Sequence, residues 1–500
     1  MSEPTQSTPS SPSVGQLAEK ASSSAMWSVV GYGGQHVVRL VSNLILTRLL
    51  LADDFGLMAL VNVFVMGLHL FSDMGFGPAI VQNKREDPDF VNTIWTILVI
   101  RGFVLCSVAL LLSGPYAAFY GQPDLVPLIR VASVSLVIDG FISTSIFTHE
   151  RHLNLKRPIV LKVGVQLVSA IAMVIWAWFT RSVWSLVVGS IVHAIVLVAL
   201  SHLWLPGHRS RFRLEPKAAR YLFSFGSWIF LGTLAMFAAN QLDRIILGRI
   251  TDMATLGVYS IAIMLATAPA EALTGLTNAV LFPLYTRVHY STTDLGKVFR
   301  TARWPVMVLG GWAAAGFIGG GETMVRLLYD SRYHDAGWML QILSAGVWFG
   351  AVLGTTYGSV VLAIGRSDWI AVMSFSKVVG MAILVPLGFT FWGFPGAVIG
   401  LSASELFRYA ATVLVAGRMG FNGRLDDLKF SLWIALSALA GWSAVAWLDQ
   451  QGQTNVVLHT LVVFVVVTAF WVRPLRSLLG RVLRRESLFI SEVELATEIL

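Results

Sequence analysis

Apolar segments of membrane-crossing length follow one another along almost the whole chain, and the short stretches between them alternate between basic and nearly charge-free. A hydrocarbon core about 30 Å thick takes about 20 helical residues to cross, and inside it each backbone N–H and C=O must be satisfied within its own segment. Helices are therefore the predicted elements. With 55% hydrophobic and 13% charged residues, a chain of 500 residues has too little polar surface to coat a soluble globule. The expected fold class is all-α, a polytopic membrane protein of about fourteen transmembrane helices.

The expected spans are 25–47 (span 1), 55–82 (span 2), 91–113 (span 3), 125–148 (span 4), 158–180 (span 5), 183–204 (span 6), 221–248 (span 7), 256–285 (span 8), 304–325 (span 9), 338–364 (span 10), 368–391 (span 11), 395–417 (span 12), 430–448 (span 13) and 455–472 (span 14). With the N-terminus inside, 24 of the 36 Lys and Arg fall in cytoplasmic stretches and 5 outside (Arg48, Arg181, Arg249, Arg326, Arg332). This bias predicts a multi-pass protein with both termini in the cytoplasm. Residues 1–24, rich in Ser, Pro, Thr and Gln and without a cleavable signal, read as a disordered cytoplasmic tail. Residues 473–500 read as a cytoplasmic amphipathic helix and tail lying on anionic lipid.

The net charge of +8 raises the question of a nucleic-acid partner, but the basic residues lie between apolar segments without aromatic spacing suited to stacking bases, so nucleic acid is excluded. Cys106 is the single cysteine, which rules out an intramolecular disulfide. No Gly-rich phosphate loop, metal-ligand cluster or nucleophile elbow occurs, so neither an enzyme nor a resident cofactor is expected.

A shift of 201 residues aligns Trp27 with Trp228, Gly31 with Gly232, Leu46 with Leu247, Arg48 with Arg249 and Gly56 with Gly257. Span 1 then matches span 7 and span 2 matches span 8, in the same direction through the membrane. The reading is two six-helix lobes, 25–204 and 221–417, related by a parallel pseudo-two-fold and joined by a basic cytoplasmic linker at 205–220, with helices 13 and 14 added in 418–472. Rocking one lobe against the other would open a central cavity to each side in turn, as in a transporter.

Ionisable groups in mid-membrane are costly and tend to face a cavity or a partner. Arg39, Arg101, Arg130, Arg244 and Lys377 are the candidates for binding an anionic substrate, Arg through its planar fork of donors. Asp73, Asp139, Asp243 and Glu271 are the candidates for binding a coupling ion, H+ or Na+, or for balancing those charges. Internal neutralisation is the competing role: Glu405 and Arg408 are three apart on one helix and can pair, and Asp139 can neutralise Arg101 or Arg130. His36, His69 and His193 suit either a proton relay or plain packing. Helix breakers, Gly75, Gly77 and Pro78 in span 2 and Pro269 and Pro283 in span 8, either border the cavity or kink the packing. Trp27, Trp95, Trp178, Trp184, Trp392, Trp447 and Trp471 fall near span ends, as an interfacial belt requires.

The stretch LTRLLLADDFGLMALVNVFVMGLHLFSDMGFGPAIVQ, Leu46 to Gln82, resembles the N-terminal signature of bacterial O-antigen and exopolysaccharide flippases, the Wzx-type branch of the multidrug/oligosaccharidyl-lipid/polysaccharide exporter superfamily. NQLDRIILGRITDMATLGVYSIAIML, Asn240 to Leu265, and LFPLYTR, Leu281 to Arg287, resemble the counterpart in the second half. The resemblance implies an inner-membrane protein that flips undecaprenyl-pyrophosphate-linked oligosaccharide repeat units toward the periplasm. It implies membrane lipids, a polysaccharide polymerase and a chain-length regulator as partners. A cation-coupled multidrug exporter of the same superfamily is the alternative. A membrane polymerase or ligase is disfavoured by the short external loops.

Overall fold

The computed structural model describes residues 14–72, 87–151, 154–206, 210–290 and 294–483, and every regular element among them is helical. Nine of these helices are long and apolar enough to cross a membrane, ten when the bent pair Leu125–Gly140 and Ser145–Arg151 is one span. Local chemistry sets the ends. The helix of span 3, Pro88–Tyr120, starts with Asp87 accepting the Phe90 N–H and Pro88 in the first turn, and stops at Gly121 with φ 66°. The helix of span 8 starts where Asp252 accepts the Thr255 N–H.

Spans 2 and 8, helices Ala52–Phe71 and Met253–Leu276, cross at the centre in intimate contact. A Cβ on Gly56 would lie 2.0 Å from the Met253 carbonyl oxygen, and one on Gly257 would lie 1.9 Å from that of Ala52. These contacts are reciprocal, because the 201-residue shift that aligns Gly56 with Gly257 also aligns Ala52 with Met253. Only glycine lets the two backbones touch here, as small residues do between membrane helices. Other contacts follow the same correspondence: span 1 packs on span 5 as span 7 packs on the run of spans 11 and 12, span 3 on span 4 as span 9 on span 10, and span 1 on span 8 as span 7 on span 2.

Several boundaries differ from expectation. The helix of span 1 runs Val14–Leu49, reaching back into the expected tail. Span 4 is three short helices, Leu125–Ala132, Val134–Gly140 and Ser145–Arg151. Spans 11 and 12 form one helical run, Ser367–Arg418, broken at Trp392 and Gly393, where φ is 62° at the glycine. The helix of span 14, Val456–Leu483, continues through Pro474 into the stretch expected to form a separate surface helix.

The linker is not a loose tether. The N–H groups of Arg211, Arg213 and Glu215 donate to the side chains of Asn92, Thr96 and Thr93, at 2.9, 3.0 and 3.0 Å, and Arg213 pairs with Asp89 at 2.8 Å. One polar face at the start of span 3 thus satisfies a strip of extended backbone, and the helix of span 7 begins at Pro216, inside the expected linker. Spans 13 and 14 pack on span 9. Trp471, expected at the interface, is fully buried among them, its Nε1 donating to Ser437 Oγ at 3.2 Å, and Trp95 is buried as well. Trp178, Trp392 and Trp447 are exposed, as a belt requires.

Candidate functional site

Spans 1, 2, 5, 7, 8, 10, 11 and 12 enclose a cavity of about 790 Å³ between the two halves. Polar residues reach it as stripes at helical spacing on otherwise apolar helices: Tyr32, Gln35, His36 and Arg39 on span 1, Asn240, Gln241 and Arg244 on span 7, and Thr267, Glu271, Thr274 and Asn278 on span 8. Two π-helical turns border it. One, Thr277–Leu281, precedes Pro283 in span 8 and contributes Asn278; the other, Trp348–Leu353 in span 10, contributes Ala351. Such turns widen the helix locally and recur at functional sites. Pro269 lines a separate apolar groove against spans 9 and 14, and Pro283 is exposed, so neither span 8 proline lines the cavity.

Of the residues singled out from the sequence, Arg39, Arg244, Lys377, Asp243 and Glu271 line this cavity, joined by Glu405 and Arg408. Each acid is engaged. Arg39 Nη2 donates to Glu271 Oε2 at 2.6 Å and lies 2.8 Å from His36 Nδ1. Tyr259 donates to Asp243 Oδ2 at 2.6 Å, while Arg244 donates to Gln241 Oε1 at 3.0 Å with Asp243 3.9 Å away. Glu405 takes Lys377 and Arg408, both at 2.8 Å. Glycine at 350, in the second π-turn, makes room for this carboxylate: a Cβ there would sit 1.7 Å from Glu405 Oε2. The expected pairing of Glu405 with Arg408 is present, with Lys377 as a second partner. The cavity lining holds four permanent cations against three acids, so its balance is positive.

Three candidates lie elsewhere. Arg101 donates to Ser72 Oγ and to the His69 carbonyl, each at 2.8 Å, between spans 2 and 3, with Asp139 near enough to feel its charge. Arg130 sits on the helix Leu125–Ala132 opposite its buried face of Leu125, Leu128, Ile129 and Ala132, and is exposed, with Ser113 Oγ at 3.3 Å. Amphipathic packing of that short helix turns Arg130 away from the cavity. Asp73, Gly75, Gly77 and Pro78 lie outside the described residues. The neutral lining, Gln35, Gln166, Asn240, Gln241, Thr267 and Asn278, escapes a search for charge alone; the three- and four-residue spacing of amides and hydroxyls was the available signal.

The sequence matches the family described as "Polysaccharide biosynthesis protein" over residues 45–337. It is 22% identical over 424 residues to the lipopolysaccharide biosynthesis protein WzxC of Escherichia coli K12, covering 84% of this chain and 85% of that one. It is 25% identical over 330 residues to the succinoglycan biosynthesis transport protein ExoT of Rhizobium meliloti, covering 64% of each. Among solved structures, the lipid II flippase MurJ in an inward closed conformation superposes with a TM-score of 0.71 at 12% identity, covering 91% of this chain and 100% of that one. An inward-facing multidrug resistance MATE family transporter of the MOP superfamily superposes at 0.59 and 13% identity, covering 81% of this chain and 98% of that one. The helical architecture is thus the fold of those proteins, and by the match over residues 45–337, more than half of its length, the chain belongs to the polysaccharide biosynthesis protein family.

Proposed function

We propose that the chain is a flippase that carries a lipid-linked oligosaccharide bearing a pyrophosphate across the inner membrane for polysaccharide assembly. Its two six-helix halves alternate access to the cavity, and both termini lie in the cytoplasm. The observation that carries this reading is the lining of the cavity: Arg39, Arg244, Lys377 and Arg408 for a phosphate group, beside the amides and hydroxyls a sugar needs. The relatives named for lipopolysaccharide biosynthesis and succinoglycan transport support it. No catalytic step is required of the chain, which acts as a transporter rather than an enzyme. A polymerase and a chain-length regulator are the partners such a cargo calls for on the far side, with H+ or Na+ as the coupling ion.

A drug exporter of the same fold needs a free carboxylate for a cationic cargo. Asp243, Glu271 and Glu405 each already face a cation, and the lining carries one cation more than it has acids, which favours the anionic cargo. In the native host, Arg39→Ala and Arg244→Ala should abolish surface polysaccharide at normal protein level, while Arg130→Ala should leave it intact. Unchanged polymer in both cavity variants, with a drug-sensitive deletion strain, would point to the exporter.

A further inference from the structure

Ion pairs in the cavity divide into two kinds. Glu405 is bound by Lys377 and Arg408, and Asp243 lies beside Arg244 and Tyr259, all within the second half. These groups are well covered, with Glu405 and Asp243 each 11% exposed and Lys377 14%. Arg39 and Glu271 differ on both counts. Arg39 belongs to span 1 and Glu271 to span 8, so their contact crosses between halves, and the side chains are 46% and 45% exposed. His36 completes the group, 3.5 Å from Glu271. One turn further along span 8, Gly275 lies so close to Tyr32 that a Cβ would come within 2.9 Å of its ring. Spans 1 and 8 are therefore drawn together at the most exposed ion pair of the cavity lining among the described residues.

We propose that Glu271 stands in for the phosphate of the cargo, holding Arg39 and the two halves together until the cargo takes Arg39 away. Carboxylate and phosphate oxygens accept the same guanidinium donors, and the more highly charged pyrophosphate competes successfully. A ligand shifts a conformational equilibrium only through its differential affinity for the two states. Here the difference is specific: Arg39 can turn its Nη2 donors to the cargo, for a two-point grip, only when its tie to span 8 is broken. Binding thereby releases the halves to move, and Glu271 recaptures Arg39 once the cargo leaves. Glu271 is on this account a positioning residue, and the inference rests on the anionic cargo proposed above.

The test uses the full chain in lipid nanodiscs titrated with undecaprenyl pyrophosphate. Spin labels at Val30 and Tyr290, in a Cys106→Ser background, report the separation of spans 1 and 8. Glu271→Gln should bind about fivefold more tightly than the unaltered chain, the size of a partly solvated ion pair. Its label separation without ligand should match that of the ligand-bound parent. Arg39→Ala should bind more weakly, and adding Glu271→Gln to it should give no further gain, because the competitor acts only through Arg39. Glu271→Asp keeps the charge and should bind like the parent, which separates loss of the tie from loss of folding. Weak binding by Arg39→Ala without tightening by Glu271→Gln overturns the competitor role and leaves the cargo reading in place. Equal binding by the parent and Arg39→Ala overturns the competitor role alone, and no binding by the parent overturns the cargo reading with it.

Discussion

At the scale of single residues, a fully buried ion pair lies outside the cavity. Arg303 and Asp427 are buried completely and hydrogen-bonded, at the starts of spans 9 and 13, and Tyr357 and Tyr409 both donate to Asp427 Oδ2, at 2.6 and 2.8 Å. The Arg303 guanidinium also stacks over the Phe299 and Tyr357 rings, 5.0 and 4.5 Å from their centroids. Removing one partner leaves the other charge buried and uncompensated. Asp427→Ala should therefore lower stability by about 3–5 kcal/mol, whereas Arg303→Met combined with Asp427→Leu should recover most of the loss. Thermal unfolding in detergent measures both; equal destabilisation by the single and double variants would contradict the account. In the sequence each residue reads as an ordinary charge at a span edge, and 124 positions separate them. Glu405 and Arg408 were legible as partners because a helical turn puts them side by side, while the third member, Lys377, was not.

At the scale of elements, the crossing of spans 2 and 8 is a tightly constrained contact. Gly56→Ala or Gly257→Ala would force a methyl group into a backbone carbonyl and should each cost at least about 1–3 kcal/mol. The two variants should behave alike in thermal unfolding, since each contact is the repeat image of the other; a tolerated Gly257→Ala beside a damaging Gly56→Ala would break that equivalence. Helix positions were readable from the length and apolarity of the segments. The three-part span 4, the merged spans 11 and 12 and the continuation of span 14 past Pro474 were not, because breaks and extensions depend on what packs alongside. Trp471 makes the same point: its place near a span end suggested the lipid interface, and contact with spans 9 and 13 buries it instead.

At the scale of the whole molecule, a second tie between halves lies at the end that the charge bias assigns to the outside. Arg332, on the 3₁₀ turn Ser331–Tyr333 of the second half, donates to the Thr47 and Leu50 carbonyls at the end of span 1, each at 3.2 Å, and Tyr333 adds a bond to Leu50. Asp330 holds the guanidinium in place. Spin labels at Leu51 and Leu327 should therefore show a single short separation that broadens in Arg332→Ala; an unchanged distribution would deny the tie any part in closure. The hydrogen bonds from Arg332 keep the Asp330 carboxyl below the usual carboxylate range. A carboxyl depressed on folding contributes above its unfolded pKa and loses that contribution as pH falls through the folded value. The short separation should persist from neutral pH down to about pH 4 and broaden only in stronger acid.

Membership of the membrane-helix class follows from one-dimensional quantities, run length, apolarity and the placement of Lys and Arg, because in lipid each span must satisfy its own backbone. The repeat, too, left its glycines at matching positions along the chain. Which charges meet is another matter: Arg39 reaches Glu271 across 232 positions, while Arg101 and Arg130, equally conspicuous in the sequence, turn to other partners. Helix rotation and packing set those distances, and they arise only when the two halves close around a shared space.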